Sequence, residues 1–362
     1  MSGADALEPV PGRFLVQGSL FAEFDPLDAE ARQTYIADHP LMLATGGYAL
    51  PTPPLVAALT QIVSSIMAGT PGIAWVAVPR FGKTTAIRLI KEKIGEALNG
   101  TPVVGHIARR HAKSDEGRFY KELLESSDMA VPPGRDAGDR FNRLWKGWWS
   151  QVLTRRSKRI VLIIDEAQKL SEAEYSWLID VANILAEKRI SLCVVLFGQP
   201  DLLSVRQTFF QVGRMDILGR FMVQVHTFEG IRNAEQLAEV MLALDDEALS
   251  EYPPGSRCAC TQFFAPRAFG AGWRLHHYAI LLWREFERCA LDTGQDLAAN
   301  PMQVAMAWVR IALVHVLQQL MEVDAERPLL PEDVWRSAAE CSGYQQSLGV
   351  LDKPVDLDES DD

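Results

Sequence analysis

Gly82-Lys83-Thr84-Thr85 follows the apolar run GIAWVAV (72–78) and opens an amphipathic stretch. A helix that starts at such a point turns free N–H groups and a partial positive charge toward whatever lies above it, which suits a phosphate. In that setting Lys83 would reach β- and γ-phosphates. The Thr84 hydroxyl would ligate Mg²⁺, and Gly82 would let the backbone approach closely. Phosphate loops of this kind read G-x-x-x-x-G-K-[ST]; here the first position is Ala77, and Pro79 stands inside the loop. Ala77 adds a methyl group and resists positive φ. Pro79 removes one N–H. Neither change touches the lysine, the hydroxyl or the helix start. Ala77, Arg80, Phe81, Gly82, Lys83, Thr84 and Thr85 are therefore the candidate nucleotide-binding residues; the alternative is an ordinary strand–turn–helix with a chance Gly-Lys-Thr.

RIVLIIDEAQKL places Asp165 and Glu166 at the end of the most apolar strand in the chain. Asp165 can hold Mg²⁺, directly or through water, and Glu166 can activate an attacking water. Taken alone, the pair could equally cap a strand end. Both motifs together, expected on neighbouring parallel strands, point to a site for ATP and Mg²⁺.

Positioning these residues requires strands that end on one edge. Apolar runs at 72–78, 102–108, 159–165, 191–197 and 221–228 alternate with amphipathic segments at 83–97, 116–126, 138–155, 172–188 and 232–246. Continuous apolar strands alternating with helices predict a parallel sheet covered on both faces. A proline-led helix, PTPPLVAALTQIVSSIMAG, precedes it. After residue 250 the strand pattern stops. EYPPGSRCAC reads as a boundary loop, followed by helices near 273–291, 301–322 and 331–343. The expected organisation is an N-terminal extension (1–50), a nucleotide-binding α/β domain (51–250), and a helical lid with C-terminal helices (251–345). A disordered acidic tail (346–362) would end the chain, its last stretch LDKPVDLDESDD carrying little to bury.

With the phosphate loop, VLIIDEAQKL and LCVVLFGQPDL in place, the chain resembles AAA+ ATPases. Within them it is similar to the TnsC/TniB group of transposition regulators, relatives of MuB. The resemblance covers roughly residues 40–290 and is carried by IDEAQ and FGQP, strings that secretion-type ExeA ATPases share. It implies an α/β fold with a five-stranded parallel sheet and a helical lid. It also implies roles for single residues. Gln199 would be sensor 1, reading the γ-phosphate. Arg220, or else Arg214, would be the arginine finger acting on a neighbouring subunit's nucleotide. Arg274 would be sensor 2. In oligomeric relatives the loop after the second strand faces a central pore, so Arg109, Arg110 and Lys113 would meet DNA phosphates. The implied protein hydrolyses ATP as an assembly switch. It forms a ring or helical filament on double-stranded DNA and links a target-selection protein to a transposase. Three other readings stay open: an ExeA-like secretion or loader ATPase, a weakly hydrolysing nucleotide-binding scaffold, and a non-nucleotide interaction protein.

Composition bounds these readings. The chain has 362 residues, 48% hydrophobic and 23% charged, with a formal net charge of −11. A uniformly basic nucleic-acid surface is excluded, though local basic patches are not. Five cysteines, an odd number in mostly apolar contexts, fit a reduced cytoplasmic protein. No signal peptide or bilayer-spanning run is read. Cys258, Cys260, His276 and His277 have the wrong spacing for zinc and read as structural. In FNRLWKGWWSQVLTRR, positions 141, 144/145, 148 and 152 share a helical face that reads as core, whereas Trp149 lies off it and could be a contact residue. The cluster TRRSKR (154–159) reads as surface.

Overall fold

The computed structural model describes residues 24–43, 47–98, 100–134 and 136–351. Five strands form one sheet: β1 (Gly72–Ala77), β2 (Val103–Ile107), β3 (Arg159–Asp165), β4 (Ser191–Gly198) and β5 (Val225–Phe228). Their order is β2-β3-β4-β1-β5 and every pairing is parallel. The register sets Val76 opposite Gly198 and Ile107 opposite Asp165. Parallel order thus brings the carboxyl ends of β1, β3 and β4 to one edge, where open α/β sheets bind ligands.

Alternation along each strand feeds two separate cores. Val161 and Ile163 point to one face, with Ile73, Trp75, Val195 and Phe197. Ile62 of the helix Pro53–Met67 and Ile90 and Ile94 of the helix Lys83–Ala97 cover that face. Ile160, Leu162 and Ile164 point to the other, under the helices Glu116–Ser126, Ala137–Thr154 and Glu172–Glu187. Burial on both faces is why these strands read as unbroken apolar runs. Within Ala137–Thr154, Leu144, Trp148 and Val152 are buried while Trp149 is 37% exposed, as the helical period predicts.

The last apolar run divides differently. Phe221 and Met222 are buried beneath the sheet, but Phe221 ends a helix (Met215–Phe221), and only Val225–Phe228 is strand. Apolar side chains at a helix end and on a strand look alike in sequence. A further helix, Asp201–Gln211, follows Pro200, in a stretch where the sequence pattern predicts no element.

A third core is wholly helical. Leu237, Val240, Met241 and Leu244 of the helix Ala234–Asp245 pack with Phe263, Phe264, Leu282, Phe286, Leu313, Val316 and Trp335. This unit takes in the chain from Ile231, ahead of the boundary expected near 250. Leu41, Tyr35 and Phe24 join it, and the Phe24 ring stacks on Phe263 at 5.8 Å. The segment 273–291 is a 3-10 turn (Leu275–Tyr278) followed by the helix Ala279–Asp292. The helix expected from 301 starts at Met306, because Val304 pairs with Ile231 in an isolated antiparallel bridge. The helices Glu332–Cys341 and Tyr344–Leu351 complete the unit. Residues 346–351, expected in the tail, are helical because Tyr344 is buried and Leu348 packs on the same core; residues 352–362 lie outside the described residues. Among the described residues no helix is long and apolar enough to cross a membrane.

Candidate nucleotide site

The loop from β1 to the Lys83–Ala97 helix has two left-handed positions. Gly82, at the helix N-cap, has φ +89°, and Arg80 has φ +73°. Ala77 is not one of them: it closes β1, buried among its neighbours. The missing first glycine therefore places no strain on Ala77; the unusual conformation falls on Arg80 instead, where a non-glycine residue needs outside support. That support comes from the helical unit. The Arg80 guanidinium lies 5.0 Å from the Trp308 ring centroid, and its carbonyl accepts the Ala307 N–H at 3.3 Å. Phe81 is buried against Gly230, where an added Cβ would stand 2.8 Å from the Phe81 ring and 2.6 Å from the Val304 carbonyl oxygen. Residues 304–308 thus form a wall behind the loop.

Lys83 meets both acids. Its Nζ lies 2.8 Å from Asp165 Oδ1 and also contacts the Glu166 carboxylate. β4 stands between β1 and β3, so the two motifs are not on adjacent strands, and the lysine reaches the carboxylates across the end of β4. Glu166 has φ +58°, and its N–H donates to Asp165 Oδ1 at 2.7 Å. The second Glu166 oxygen accepts from Gln168 Nε2 at 3.0 Å and Gln199 Nε2 at 3.2 Å, and Lys169 Nζ lies 3.1 Å away. Burial alone would raise the Glu166 pKa. Hydrogen bonds and charges from Lys83 and Lys169 outweigh it and bring the group down to about 2.

Thr84 and Thr85 are exposed on the first turn of the helix. These residues fit a nucleotide with Mg²⁺. A lysine held by carboxylates stands beside free N–H groups at a helix start. The Thr84 hydroxyl and the Asp165 carboxylate would supply the hard oxygens that Mg²⁺ takes when phosphates provide the rest. Among the described residues no group of three His, Cys, Asp or Glu could hold a metal unaided.

The other expected residues are not gathered here. Arg214 donates to both Asp216 oxygens, at 3.0 and 2.8 Å, to Ser176 at 2.8 Å, and to Glu172. Arg220 sits at the amino edge of the sheet, in a recess lined by Pro71, Ser191 and Phe221, and donates to Asn183 Oδ1 at 2.6 Å. Arg274 donates to the Phe269 and Trp273 carbonyls at 2.7 and 2.8 Å and lies over the Phe269 ring. Arg109, Arg110 and Lys113 are exposed in the loop after β2, which begins beside the site: the Ala108 N–H donates to the Asp165 carbonyl at 2.9 Å. Cys258 and Cys260 are buried in the helical core, and His276 pairs with Asp245 at 2.7 Å. Sequence reasoning missed Trp308, Gly230, Gln168 and Lys169. Only the last two had a signal, their place in the same motif as Glu166.

Residues 67–205 match a family model described as an AAA domain. No curated protein matches the chain. Among solved structures it is similar to the ORC2 protein of Aeropyrum pernix in ADPNP–ADP complexes, at 12% identity and a TM-score of 0.49, over 80% of this chain and 66% of that one. It is similar to the Aeropyrum pernix ORC1 protein in complex with DNA, at 15% identity and 0.40, over 86% of both chains. A third is Drosophila ORC bound to DNA, at 14% identity and 0.44, over 90% of this chain and 72% of that one. The chain thus spans just under two thirds of the ORC2 chain. The five-stranded parallel sheet, flanking helices and helical C-terminal region form an AAA+ P-loop fold, and residues 67–205 of it are similar to an AAA domain.

Proposed function

We propose that this chain is a Mg²⁺-dependent ATPase whose nucleotide state switches its assembly on double-stranded DNA. Its setting is transposition, where it links a target-selection protein to the transposase. The observation that carries the ATPase reading is the convergence of Lys83, Asp165 and Glu166 at the carboxyl edge of the sheet, with Gln199 alongside. In this reading Lys83 pairs with β- and γ-phosphates, and Thr84 and Asp165 hold the metal. Mg²⁺, when bound, would neutralise charge on the phosphate oxygens. Glu166 accepts the proton of the attacking water. A carboxylate held near a pKa of 2 is a weak base, so Glu166 gains strength only as Lys83 turns from it to phosphate. Gln199 meets the γ-phosphate. Arg220 is the preferred finger for a neighbouring copy: it has one side-chain bond to release, whereas Arg214 has four. Arg274 acts as sensor 2 after leaving two carbonyls. Arg109, Arg110 and Lys113 meet DNA phosphates. The resemblance carried by IDEAQ and FGQP supports the transposition setting, and because ExeA-like ATPases share those strings a secretion or loader ATPase is the second reading.

The test is ATP turnover and duplex binding by the purified protein, with assembly followed by light scattering. Turnover that needs Mg²⁺ and larger particles on DNA only with ATP are expected. Absence of nucleotide binding removes the ATPase reading, and ATP-independent or absent DNA binding removes the switch. Transposase genes beside this reading frame are expected; their absence counts against the setting alone.

A further inference from the structure

Gln168 lies in the 3-10 turn Ala167–Lys169, directly after the acids that end β3, and is only 9% exposed. Both ends of its amide are used. Nε2 donates to Glu166 Oε2 at 3.0 Å, and Oε1 accepts the Gln199 N–H at 3.1 Å. Gln199 returns through its own Nε2 to the same Glu166 oxygen at 3.2 Å. A closed ring therefore joins the ends of β3 and β4 just beyond the last paired residues of those strands, Ile164 and Leu196.

The ring has a steric condition. A Cβ on Gly198 would stand 2.9 Å from Gln168 Oε1 and 2.8 Å from Leu202 Cδ2, and Leu202 is itself buried. Gly198 is thus what lets the amide reach the main chain. The side-chain type is equally constrained. A carboxylate at 168 would face Glu166, an apolar chain would make neither bond, and asparagine is one methylene shorter.

We propose that Gln168 is a positioning residue for hydrolysis, locking Glu166 to Gln199 so that the group that handles water and the group that meets the terminal phosphate move together. This rests on the ATPase reading above. Gln168 contacts neither Lys83 nor the helix start and reaches the terminal phosphate only through Gln199, so most of the nucleotide affinity does not depend on it.

The experiment uses the full chain and compares wild type with Gln168→Met, which keeps the volume and loses both bonds, and with Gln168→Glu and Gly198→Ala. In each variant kcat is expected to fall about 10- to 100-fold, the scale of a misplacement near 1 Å. KM, and the Kd of a fluorescent ATP analogue, should stay within about threefold, because uniform binding is untouched. Without nucleotide, the Gln199 amide in Gln168→Met should exchange its hydrogen about tenfold faster, matching the loss of one hydrogen bond. Unchanged kcat in a variant that folds overturns the proposal. So does a loss of analogue affinity as large as the loss of kcat, which would make Gln168 a binding residue. Unaltered Gln199 exchange overturns the ring. A wild type that binds the analogue without turning over ATP overturns the ATPase reading and this inference with it, an outcome separate from an active wild type with an active Gln168→Met.

Discussion

Two loops at the carboxyl edge of the sheet carry cations, and they treat them in opposite ways. In the phosphate loop Lys83 is largely enclosed and engaged by Asp165 and Glu166, and the loop is walled by Ala307 and Trp308. In the loop after β2, Arg109, Arg110 and Lys113 are exposed, and among the described residues none makes an ion pair. A compact ligand of high charge can replace two carboxylates around one lysine, whereas a weakly charged one cannot, so the enclosed site selects. Exposed single cations hold nothing well individually and are screened by salt. They suit a long polyanion that meets several at once.

This contrast can be broken at either end. Glu166→Gln should have the largest effect, lowering kcat about 10²- to 10⁴-fold while ATP still binds, because the amide keeps the size and loses the base. Turnover at the parent rate refutes Glu166 as the base. Lys83→Ala comes next. It leaves two carboxylates facing the phosphates without their counter-charge, and breaking such a pair costs about 3–5 kcal/mol, or roughly 10²- to 4 × 10³-fold in nucleotide affinity. Calorimetry showing unchanged affinity would end the site assignment. Arg109→Ala, Arg110→Ala and Lys113→Ala together should leave ATP affinity intact and flatten the salt dependence of duplex binding by about 2.7 in log–log slope, three contacts at ~0.9 each. An unchanged slope in anisotropy titrations would mean that DNA lies elsewhere.

The smallest effect concerns acid. The Glu166 pKa falls from its ordinary 4.5 to about 2 in the folded chain. Its pairing therefore stabilises the nucleotide-free protein above pH 4.5, and that contribution is lost as the pH drops through about 2. Glu166→Gln lacks this term, so the wild type should lose stability relative to it across that window. Urea midpoints for both proteins at stepped pH would check this, and a constant gap would show that Lys83 does not hold Glu166 in solution.

Much of this arrangement was legible from residues. The start of the helix at Lys83 follows from Gly82 and the switch in period. The place of Asp165 and Glu166 follows from a strand too apolar to continue past two acids. The split between buried Trp148 and exposed Trp149 follows from 3.6 residues per turn. What stayed hidden depends on long-range contact. The left-handed Arg80 is explained by Trp308, in a helix from another core. Glu172 reaches Arg214 from a distant helix, whereas the carbonyls that engage Arg274 and the Asp216 carboxylate beside Arg214 are near in sequence and depend on how the turn is bent, which the residue types do not specify. Phe221 was misassigned because burial, not period, determined its apolar neighbourhood.

The wall behind the phosphate loop bears on how such a chain can be cut or recombined. The stretch 67–205 that matches a domain model contains neither the Ala307 N–H nor the Trp308 indole on which Arg80 rests. A protein shortened before residue 304 would uncover Phe81 and release Arg80 from its left-handed state. A chimera that carried this loop onto a foreign helical region would do the same. Loop and helical region form one heritable piece that is discontinuous in sequence, so a working exchange between relatives has to move residues 77–84 and 304–308 together.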